Sequence, residues 1–413
     1  MNYPLTKKLR QRADYTHKFN ANSGRYGWLR LTPAYSVKIV EELMACHGGR
    51  RLRVLDPFCG TATTALSAAY YGHDSVTTDI NPFLVWLGNV KTAKYSATTI
   101  KSTRAACVRA VDAVMLGTVD PVDAPFIHNI DRWWCAESLS FLRNLMAGIE
   151  AKSEERTPER NLMLVAFCRT LIELSNVSFN HQSMSFRNNI QLNIPFNFDM
   201  TGLYMKNLNF VMEGAADNPN GTVNVVLADA RKLSEIIDDQ FDLVITSPPY
   251  ANRMSYIREL RLYMYWLGYL TNGRDAGDLD WSAIGGTWGV ATSRLINWET
   301  PADPFTHPLL EMTLTKIAHE KNKNGRILAN YVAKYFNDIR EHMVSLLPTL
   351  RSGSKLHYIV GNSTFYGVLL PVEKLYAEIF QTLGFEDVYC TAIRKRNSKK
   401  ELFEFDVSAC WPG

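Results

Sequence analysis

The chain has 413 residues, with 45 Lys and Arg against 41 Asp and Glu, 46% hydrophobic residues and 21% charged residues. This apolar fraction excludes a globally disordered chain, and a net charge of +4 excludes a histone-like polycation. A nucleic-acid partner is compatible with the composition if the basic residues cluster on one face. The length predicts two or three domain-sized units, or one large domain with insertions.

The cysteine pattern and the hydropathy narrow the cellular setting. The seven cysteines are odd in number and scattered, and no CxxC pair occurs, so we expect neither a disulfide framework nor a four-Cys zinc site. No apolar run of 18 residues is present, and the N-terminus lacks an apolar signal core. We expect a soluble cytoplasmic protein with no membrane partner and no metal.

The first predicted elements open a doubly wound α/β sheet. After a basic stretch at 1–30, residues 36–45 have the pattern of an amphipathic helix. A strand at 50–55 leads into the loop and small-residue helix DPFCGTATTALSAAYYG, and a second strand ends at Asp79. Strand, loop, helix, strand and terminal acid in this order are typical of a nucleotide-binding α/β fold.

The alternation then stops and later resumes. Residues from about 95 to 220 show helical patterns that end in an Asn-rich stretch at 175–193. Strands return at 222–230 and 241–246, and a second region at 270–308 reads as irregular. A helix, a strand, a helix and a β segment complete the chain. We predict an α/β fold with a helical insertion and a shorter loop insertion.

The loop after the first strand has the features of a cofactor site. Gly60 lets the backbone approach a ligand closely, and Asp79 ends the next strand, where a carboxylate can accept hydrogen bonds from ribose hydroxyls. The loop lacks GKS or GKT and is therefore not a P-loop. Asp56 suits a cationic ligand such as the amino group of a methionine moiety. An ordinary tight turn, with Asp79 as a helix N-cap, is the alternative.

The segment Ser247–Pro248–Pro249–Tyr250 follows the apolar strand at 241–246. Two prolines stiffen the turn and remove two backbone donors. Tyr250 then offers an aromatic face beside a hydroxyl and a carbonyl acceptor, which suits a planar heterocycle with an exocyclic amine. A rigid turn after a core strand is the alternative.

DPFCGTATT, TDINP and DLVITSPPY together resemble the motifs of S-adenosylmethionine-dependent DNA methyltransferases that modify an exocyclic amine, DPFxGxGTT and [DNS]PP[YFW]. The resemblance implies a Rossmann-like class I methyltransferase sheet whose insertions recognise the target. It divides the chain into residues 1–95, 96–220 and 221–413, with the loop region 270–308 in the last. Ala62 replaces the usual Gly, which costs little if its φ is negative.

The resemblance also assigns residues. Asp56 would bind the methionine end of S-adenosylmethionine, Asp79 its ribose and Asp229 its adenine amine, and residues 31–35 resemble a cofactor-flanking motif. The implied cofactor contacts are Asp56, Pro57, Phe58, Gly60, Thr61, Asp79, Ile80, Asp229 and Ala230. The implied catalytic residues are Ser247, Pro248, Pro249 and Tyr250. The order of the motifs excludes the permuted class in which the catalytic motif comes first.

The chemistry would be in-line attack of the base amine on the sulfonium methyl group, after the base leaves the double helix. Carbon-5 cytosine methylation needs a Cys nucleophile, usually in a Pro-Cys pair, and none occurs. Ser247 favours cytosine N4 within the family, and adenine N6 is the alternative. An RNA or protein-glutamine methyltransferase and an inactive binding module are further alternatives.

The expected partner is double-stranded DNA, with a cognate restriction endonuclease as a genetic partner. Basic residues near the catalytic motif and at the chain ends are candidate phosphate contacts. These are Arg253, Arg258, Arg187, Arg394, Arg396, Lys399 and Lys400. Other candidates for recognition are residues 176–191 and the region that holds Trp281, Trp288 and Trp298. Asn362 and Ser363 are expected at the rim of the pocket.

Overall fold

The computed structural model describes residues 9, 11–21, 23–29, 35–47, 49–178, 185–186, 198–287, 290–319, 324–396 and 402–413. Several predictions therefore lie outside the described residues. They concern Arg187, Trp288, Lys399, Lys400, residues 31–34 of the flanking motif and most of the Asn-rich stretch.

Seven strands form a central, mainly parallel sheet in the order β10-β11-β7-β6-β1-β2-β5, in which only β11 is antiparallel to its neighbours. Two short antiparallel pairs, β3–β4 and β8–β9, lie outside it. The strands are β1 (Arg53–Asp56), β2 (Asp74–Asp79), β3 (Val177–Ser178), β4 (Ser185–Phe186), β5 (Val223–Leu227), β6 (Phe241–Thr246), β7 (Leu350–Gly361), β8 (Ser363–Phe365), β9 (Val368–Leu370), β10 (Glu386–Lys395) and β11 (Phe403–Trp411).

Helices cover the sheet and form a further layer beside it. They are α1 (His17–Asn20), α2 (Val37–Cys46), α3 (Thr63–Tyr70), α4 (Pro82–Thr92), α5 (Ala97–Met115), α6 (Ile130–Trp133), α7 (Ala136–Lys152), α8 (Pro158–Glu173), α9 (Met200–Ala216), α10 (Leu233–Ile236), α11 (Tyr256–Trp266), α12 (Gly273–Ser282), α13 (Val290–Ile296), α14 (Pro308–His319), α15 (Gly325–Leu346) and α16 (Val372–Thr382). No helix among the described residues is long and apolar enough to cross a membrane.

The strand order places the topological switch point between β1 and β6. The chain proceeds from β1 to β2 and β5 on one side, and from β6 to β7 on the other. Leu55 of β1 lies opposite Val244 of β6, and both side chains are fully buried. Ligands of open α/β sheets bind in the crevice outside the carboxyl ends of the strands at such a point.

The predicted strand–loop–helix–strand unit is confirmed as β1, α3 and β2, with Asp79 as the last residue of β2. The alternative role of Asp79 as a helix N-cap is wrong. The N-cap of α4 is Asn81, whose side chain accepts a hydrogen bond from the Phe83 amide at 3.0 Å, and Pro82 occupies the first turn. Asp79 therefore does not cap α4, and its carboxylate can take part in the site at the strand ends instead.

Apart from the short strands β3 and β4, the described part of the segment between β2 and β5 is mainly helical, in line with the sequence pattern. Its helices α5 and α7–α9 share one hydrophobic core with α4 and α11, in which Phe83, Leu171, Val211 and Trp266 are among the buried residues. The helical segment is thus continuous with the layer that covers the sheet. Its role in target recognition stays a prediction.

The prediction of an irregular region at 270–308 is wrong, because α12 and α13 lie within it. The polar residues that indicated a loop support helix ends instead. The Asn272 side chain accepts hydrogen bonds from the amides of Arg274 and Asp275 at 2.8 and 3.0 Å, and so caps α12. Arg294 of α13 pairs with Asp278 of α12 at 2.6 Å. The sequence pattern does not predict the helices α9, α11 and α14.

Candidate cofactor and catalytic site

A cavity of about 820 Å³, open to solvent, lies at the carboxyl ends of β1, β2, β5 and β6. This volume includes the open solvent at the mouth of the cavity. Ten of the predicted cofactor and catalytic residues line it, namely Pro57, Phe58, Gly60, Thr61, Asp79, Ile80, Asp229, Ala230, Ser247 and Pro249. Asp56, Pro248 and Tyr250 lie beside the cavity rather than on its wall.

Asp79 holds the loop that follows β1. One carboxylate oxygen accepts from the Gly60 amide at 3.0 Å and the other from the Asn81 amide at 2.9 Å. Gly60 has a φ of +49°, which glycine adopts without strain. Burial raises the pKa of Asp79 to about 6, although the backbone hydrogen bonds oppose that shift. The carboxylate thus orders the loop and still faces the cavity.

Asp56 carries a buried carboxylate with one engaged oxygen. Oδ1 accepts from the Thr246 hydroxyl at 2.6 Å and from the Phe58 amide at 3.1 Å. Oδ2 is buried and has no hydrogen-bond partner among the described residues. Burial raises the pKa of Asp56 to about 7. A lone buried carboxylate oxygen favours a cationic ligand group, because an unpaired buried acceptor is costly.

Asp229 lines the cavity after β5, and its carboxylate is held by Arg231. The Arg231 guanidinium donates to it at 2.7 Å and reaches Asp338 at 3.1 Å and the Ser282 carbonyl at 2.7 Å. Burial alone would raise the pKa of Asp229, but the Arg231 guanidinium holds it below its usual value. Arg231 therefore ties the strand end to α12 and α15. Residues 282–284, from the region predicted as a loop, complete this wall.

Replacing Arg231 with Ala is expected to lower the free energy of unfolding by about 2 kcal/mol, because the Asp229 carboxylate loses its guanidinium and Asp338 keeps only Lys334 as a partner cation. Urea denaturation followed by circular dichroism measures the change. Arg340→Ala is the matched control. Its partner Asp303 is 84% exposed, so that variant should lose less than about 1 kcal/mol. Equal losses in the two variants would contradict the assigned role of Arg231.

Two further residues support the cavity from beneath. His342 is fully buried, contacts the Phe58 ring edge-on at 4.9 Å and bonds to the Ala230 carbonyl at 2.9 Å. Burial lowers the pKa of His342 to about 4, so the ring is neutral. Lys91 is buried and donates to the Thr61 carbonyl at 2.5 Å. Neither residue belongs to a recognisable motif, so sequence reasoning missed both.

Ala62 departs from the expectation that its φ is negative. Its φ is +58° and its ψ is +31°, a left-handed conformation that costs a non-glycine residue about 1–2 kcal/mol. The methyl group is fully buried in a small cluster with Cys59 and Val225. The contacts of that methyl group offset part of the cost.

The Ser-Pro-Pro-Tyr turn leaves β6 at the switch point. The Ser247 hydroxyl donates to the Ile359 carbonyl at 3.1 Å, which leaves its oxygen lone pairs as acceptors. The Pro249 carbonyl accepts from the Tyr335 hydroxyl at 2.8 Å. The Pro248 carbonyl receives no hydrogen bond from the described residues. The Tyr250 amide donates to the Tyr256 hydroxyl at 3.2 Å.

The predicted phosphate contacts fall into two groups. Arg253 and Arg258 are exposed and follow Tyr250 directly, and Arg253 has a φ of +61°. By contrast, Arg394 is largely buried in an ion pair with Glu404 at 2.6 Å. Arg396 donates to the Asn362 carbonyl at 2.9 Å. Arg394 and Arg396 are therefore engaged in contacts within the chain.

Asn362 and Ser363, predicted at the rim, are not among the residues that line the cavity, and they and Trp281 have contacts within the chain. The Asn362 side chain accepts from the Phe403 amide at 2.9 Å, and Ser363 is buried. Trp281 of α12 lies under the Lys334 ammonium, 5.0 Å from the ring centroid. Among the described residues, no group of three or more His, Cys, Asp or Glu side chains could hold a metal ion.

The fold and the cavity define a class of protein. An open α/β sheet with a cavity outside the carboxyl ends of its strands, at the switch point, is the arrangement in which α/β proteins of this topology bind ligands.

Comparison with known proteins identifies relatives of the chain more specifically than the fold does. No family model matches the chain. The chain is 22% identical to the type II methyltransferase M.BsoBI of Geobacillus stearothermophilus, over 94% of this chain and 84% of the relative. It is 21% identical to the type II methyltransferase M.MvaI of Kocuria varians, over 82% and 76% respectively. It is 27% identical to the type II methyltransferase M.AvaI of Anabaena variabilis, over 41% and 36%. The chain is thus similar to type II methyltransferases over most of its length.

Proposed function

We propose that the protein is an S-adenosylmethionine-dependent DNA methyltransferase that modifies the exocyclic N4 amine of a flipped-out cytosine. The relatives support its assignment as the modification enzyme of a restriction–modification system with a cognate endonuclease. One observation carries the proposal: the two motifs lie at the same cavity. The loop after β1 and the turn after β6 reach one cavity at the switch point.

The residues present fit S-adenosylmethionine. The unpartnered oxygen of Asp56 suits the amino group of the methionine end, and the carboxylate of Asp79 suits the ribose hydroxyls. Leu84 and Ile284 add apolar wall to the cavity, as an adenine ring requires. When bound, the cofactor supplies an electrophilic methyl group.

The turn after β6 supplies the groups that hold the base. The Ser247 oxygen and the Pro248 carbonyl would accept the two N–H groups of the amine, which draws its lone pair out of conjugation with the ring. Two acceptors fixed in a rigid turn orient the amine without reorganisation. The Tyr250 ring offers a stacking face. Arg253 and Arg258, which are exposed and follow Tyr250 in the chain, would contact phosphates beside the flipped base.

The affinity for S-adenosylmethionine should fall as the pH falls through 7. A cationic ligand group binds the ionised form of Asp56, whose pKa burial raises to about 7. Binding is thus strongest above this pKa and weakens below it. We expect the dissociation constant to rise about tenfold between pH 7.5 and pH 6. Isothermal titration calorimetry measures it, and Asp56→Asn should leave only the smaller dependence, of about twofold, that Asp79 with its pKa of about 6 contributes. A constant affinity over this range in the native protein would contradict the role of Asp56.

Transfer of a tritiated methyl group to genomic DNA tests the function directly. The native protein should label DNA, and Ser247→Ala should label it at least tenfold more slowly, since it loses one acceptor of the reacting amine. Digestion to nucleosides and chromatography then identify the product. N4-methylcytosine supports the proposal and N6-methyladenine selects the alternative base. Label in RNA or protein, with none in DNA, would refute the DNA substrate.

A further inference from the structure

The Tyr250 side chain is held at its hydroxyl end by residues of the C-terminal hairpin. Its hydroxyl donates to Glu404 of β11 at 2.9 Å, and Glu404 is 3% exposed. Arg394 of β10 binds the same carboxylate through two nitrogens, at 2.6 and 3.1 Å. Because Glu404 is fixed by this bidentate contact, it offers the Tyr250 hydroxyl an acceptor in one position.

The Tyr250 ring is confined by two more neighbours. The Arg396 guanidinium carbon lies 5.5 Å from the ring centroid, and the Asn362 carbonyl fixes that arginine at 2.9 Å. A Cβ atom on Gly361 would lie 2.9 Å from the Tyr250 ring and 2.7 Å from Arg396. The absence of a side chain at Gly361 therefore allows the ring to lie against the end of β7.

We infer that Glu404 and Arg394 are positioning residues, which hold the Tyr250 ring in the orientation needed to stack on the extruded base. The stacking part of this inference rests on the proposed function, whereas the orientation of the ring does not. A stacking platform that is already fixed loses little conformational entropy when the base arrives. The two arginines of the hairpin thus serve the aromatic ring rather than DNA phosphates.

The orientation is tested without any substrate. The protein is labelled with 3-fluorotyrosine, and the Tyr250 fluorine signal is identified by its loss in Tyr250→Phe. Glu404→Ala should shift that signal. Should this variant not fold, Glu404→Asp keeps the charge for Arg394 but withdraws the carboxylate from the hydroxyl, and should also shift it. The matched control is Asp406→Asn. Asp406 lies on β11 like Glu404, and the substitution weakens its pair with His357 of β7 but should leave the Tyr250 signal in place.

The consequence for catalysis is tested by methyl transfer to DNA. Glu404→Ala should lower kcat about tenfold, the effect of a lost hydrogen bond to a charged group, while the dissociation constant of S-adenosylmethionine changes less than about twofold. Glu404→Gln retains an acceptor and should restore most of the rate. In the Tyr250→Phe background, Glu404→Ala should cost less than about a further twofold, because the hydroxyl it serves is already absent.

The outcomes separate the two proposals. An unmoved Tyr250 signal in both Glu404 variants, or fully additive losses in the Tyr250→Phe background, would overturn the positioning role. A shifted signal in a protein that labels no DNA would support the positioning of the ring and refute the proposed function.

Discussion

Replacing Tyr250 with Ala is expected to lower kcat/KM for DNA methylation by about a hundredfold. Stacking of a base on an aromatic side chain contributes about 1–3 kcal/mol, and the substitution also leaves the buried Glu404 carboxylate without the Tyr250 hydroxyl. Initial rates of tritiated methyl transfer to genomic DNA give the ratio. Binding of S-adenosylmethionine should change little, because the Tyr250 ring is proposed to contact the base and not the cofactor.

Tyr389→Ala is the matched control for this prediction. Tyr389 lies on β10 of the same hairpin and is 62% exposed, so its removal should leave the rate within about twofold of the native value. A Tyr250→Ala protein that methylates DNA at the native rate would contradict the role of the ring. Equal losses in the two variants would indicate damage to the hairpin instead.

Replacing Asp79 with Asn should weaken the binding of S-adenosylmethionine by about a hundredfold. Hydrogen bonds to a charged group contribute about 1.5–3 kcal/mol, and the carboxylate would make them to the ribose hydroxyls. An amide also cannot accept at both atoms, so one of the Gly60 and Asn81 amides would lose its acceptor. Isothermal titration calorimetry measures the dissociation constant.

The same strand supplies the control. Asp74 begins β2 at its opposite end and pairs with the exposed Arg51 at 2.6 Å. Asp74→Asn should leave the affinity for S-adenosylmethionine unchanged within about twofold. If Asp79→Asn binds the cofactor as tightly as the native protein, Asp79 does not contact the ribose.

The parts of the site that the sequence predicts well are local. The loop, its helix and the acid Asp79 lie within about 25 residues and follow the βαβ pattern. The turn at Ser247 follows one short apolar strand. In both segments the residue types needed by the chemistry occur at strand ends, and the order of parallel strands brings those ends together.

The contacts that sequence reasoning missed join distant residues. Tyr250 and Glu404 are 154 residues apart, and Arg231 and Asp338 are 107 apart. A single sequence shows a cluster of arginines at 394–396 but not the buried carboxylate that pairs with one of them. From the sequence alone, this cluster therefore favours a phosphate contact. Likewise, Gly and Asp near residue 273 indicated a loop, because caps and turns share these residue types.

The position of β11 determines when the contacts around Tyr250 can be completed as the chain is synthesised. β11 follows the other six strands of the sheet in the chain, yet it lies between β7 and β10. β10 joins the sheet through β11, which pairs with β10 on one side and with β7 on the other, so β10 is incorporated only after β11 has emerged. Glu404 arrives with β11, so the Tyr250 hydroxyl acquires its acceptor only when this strand is in place. A nascent chain that already has its cofactor loop therefore lacks the finished aromatic platform.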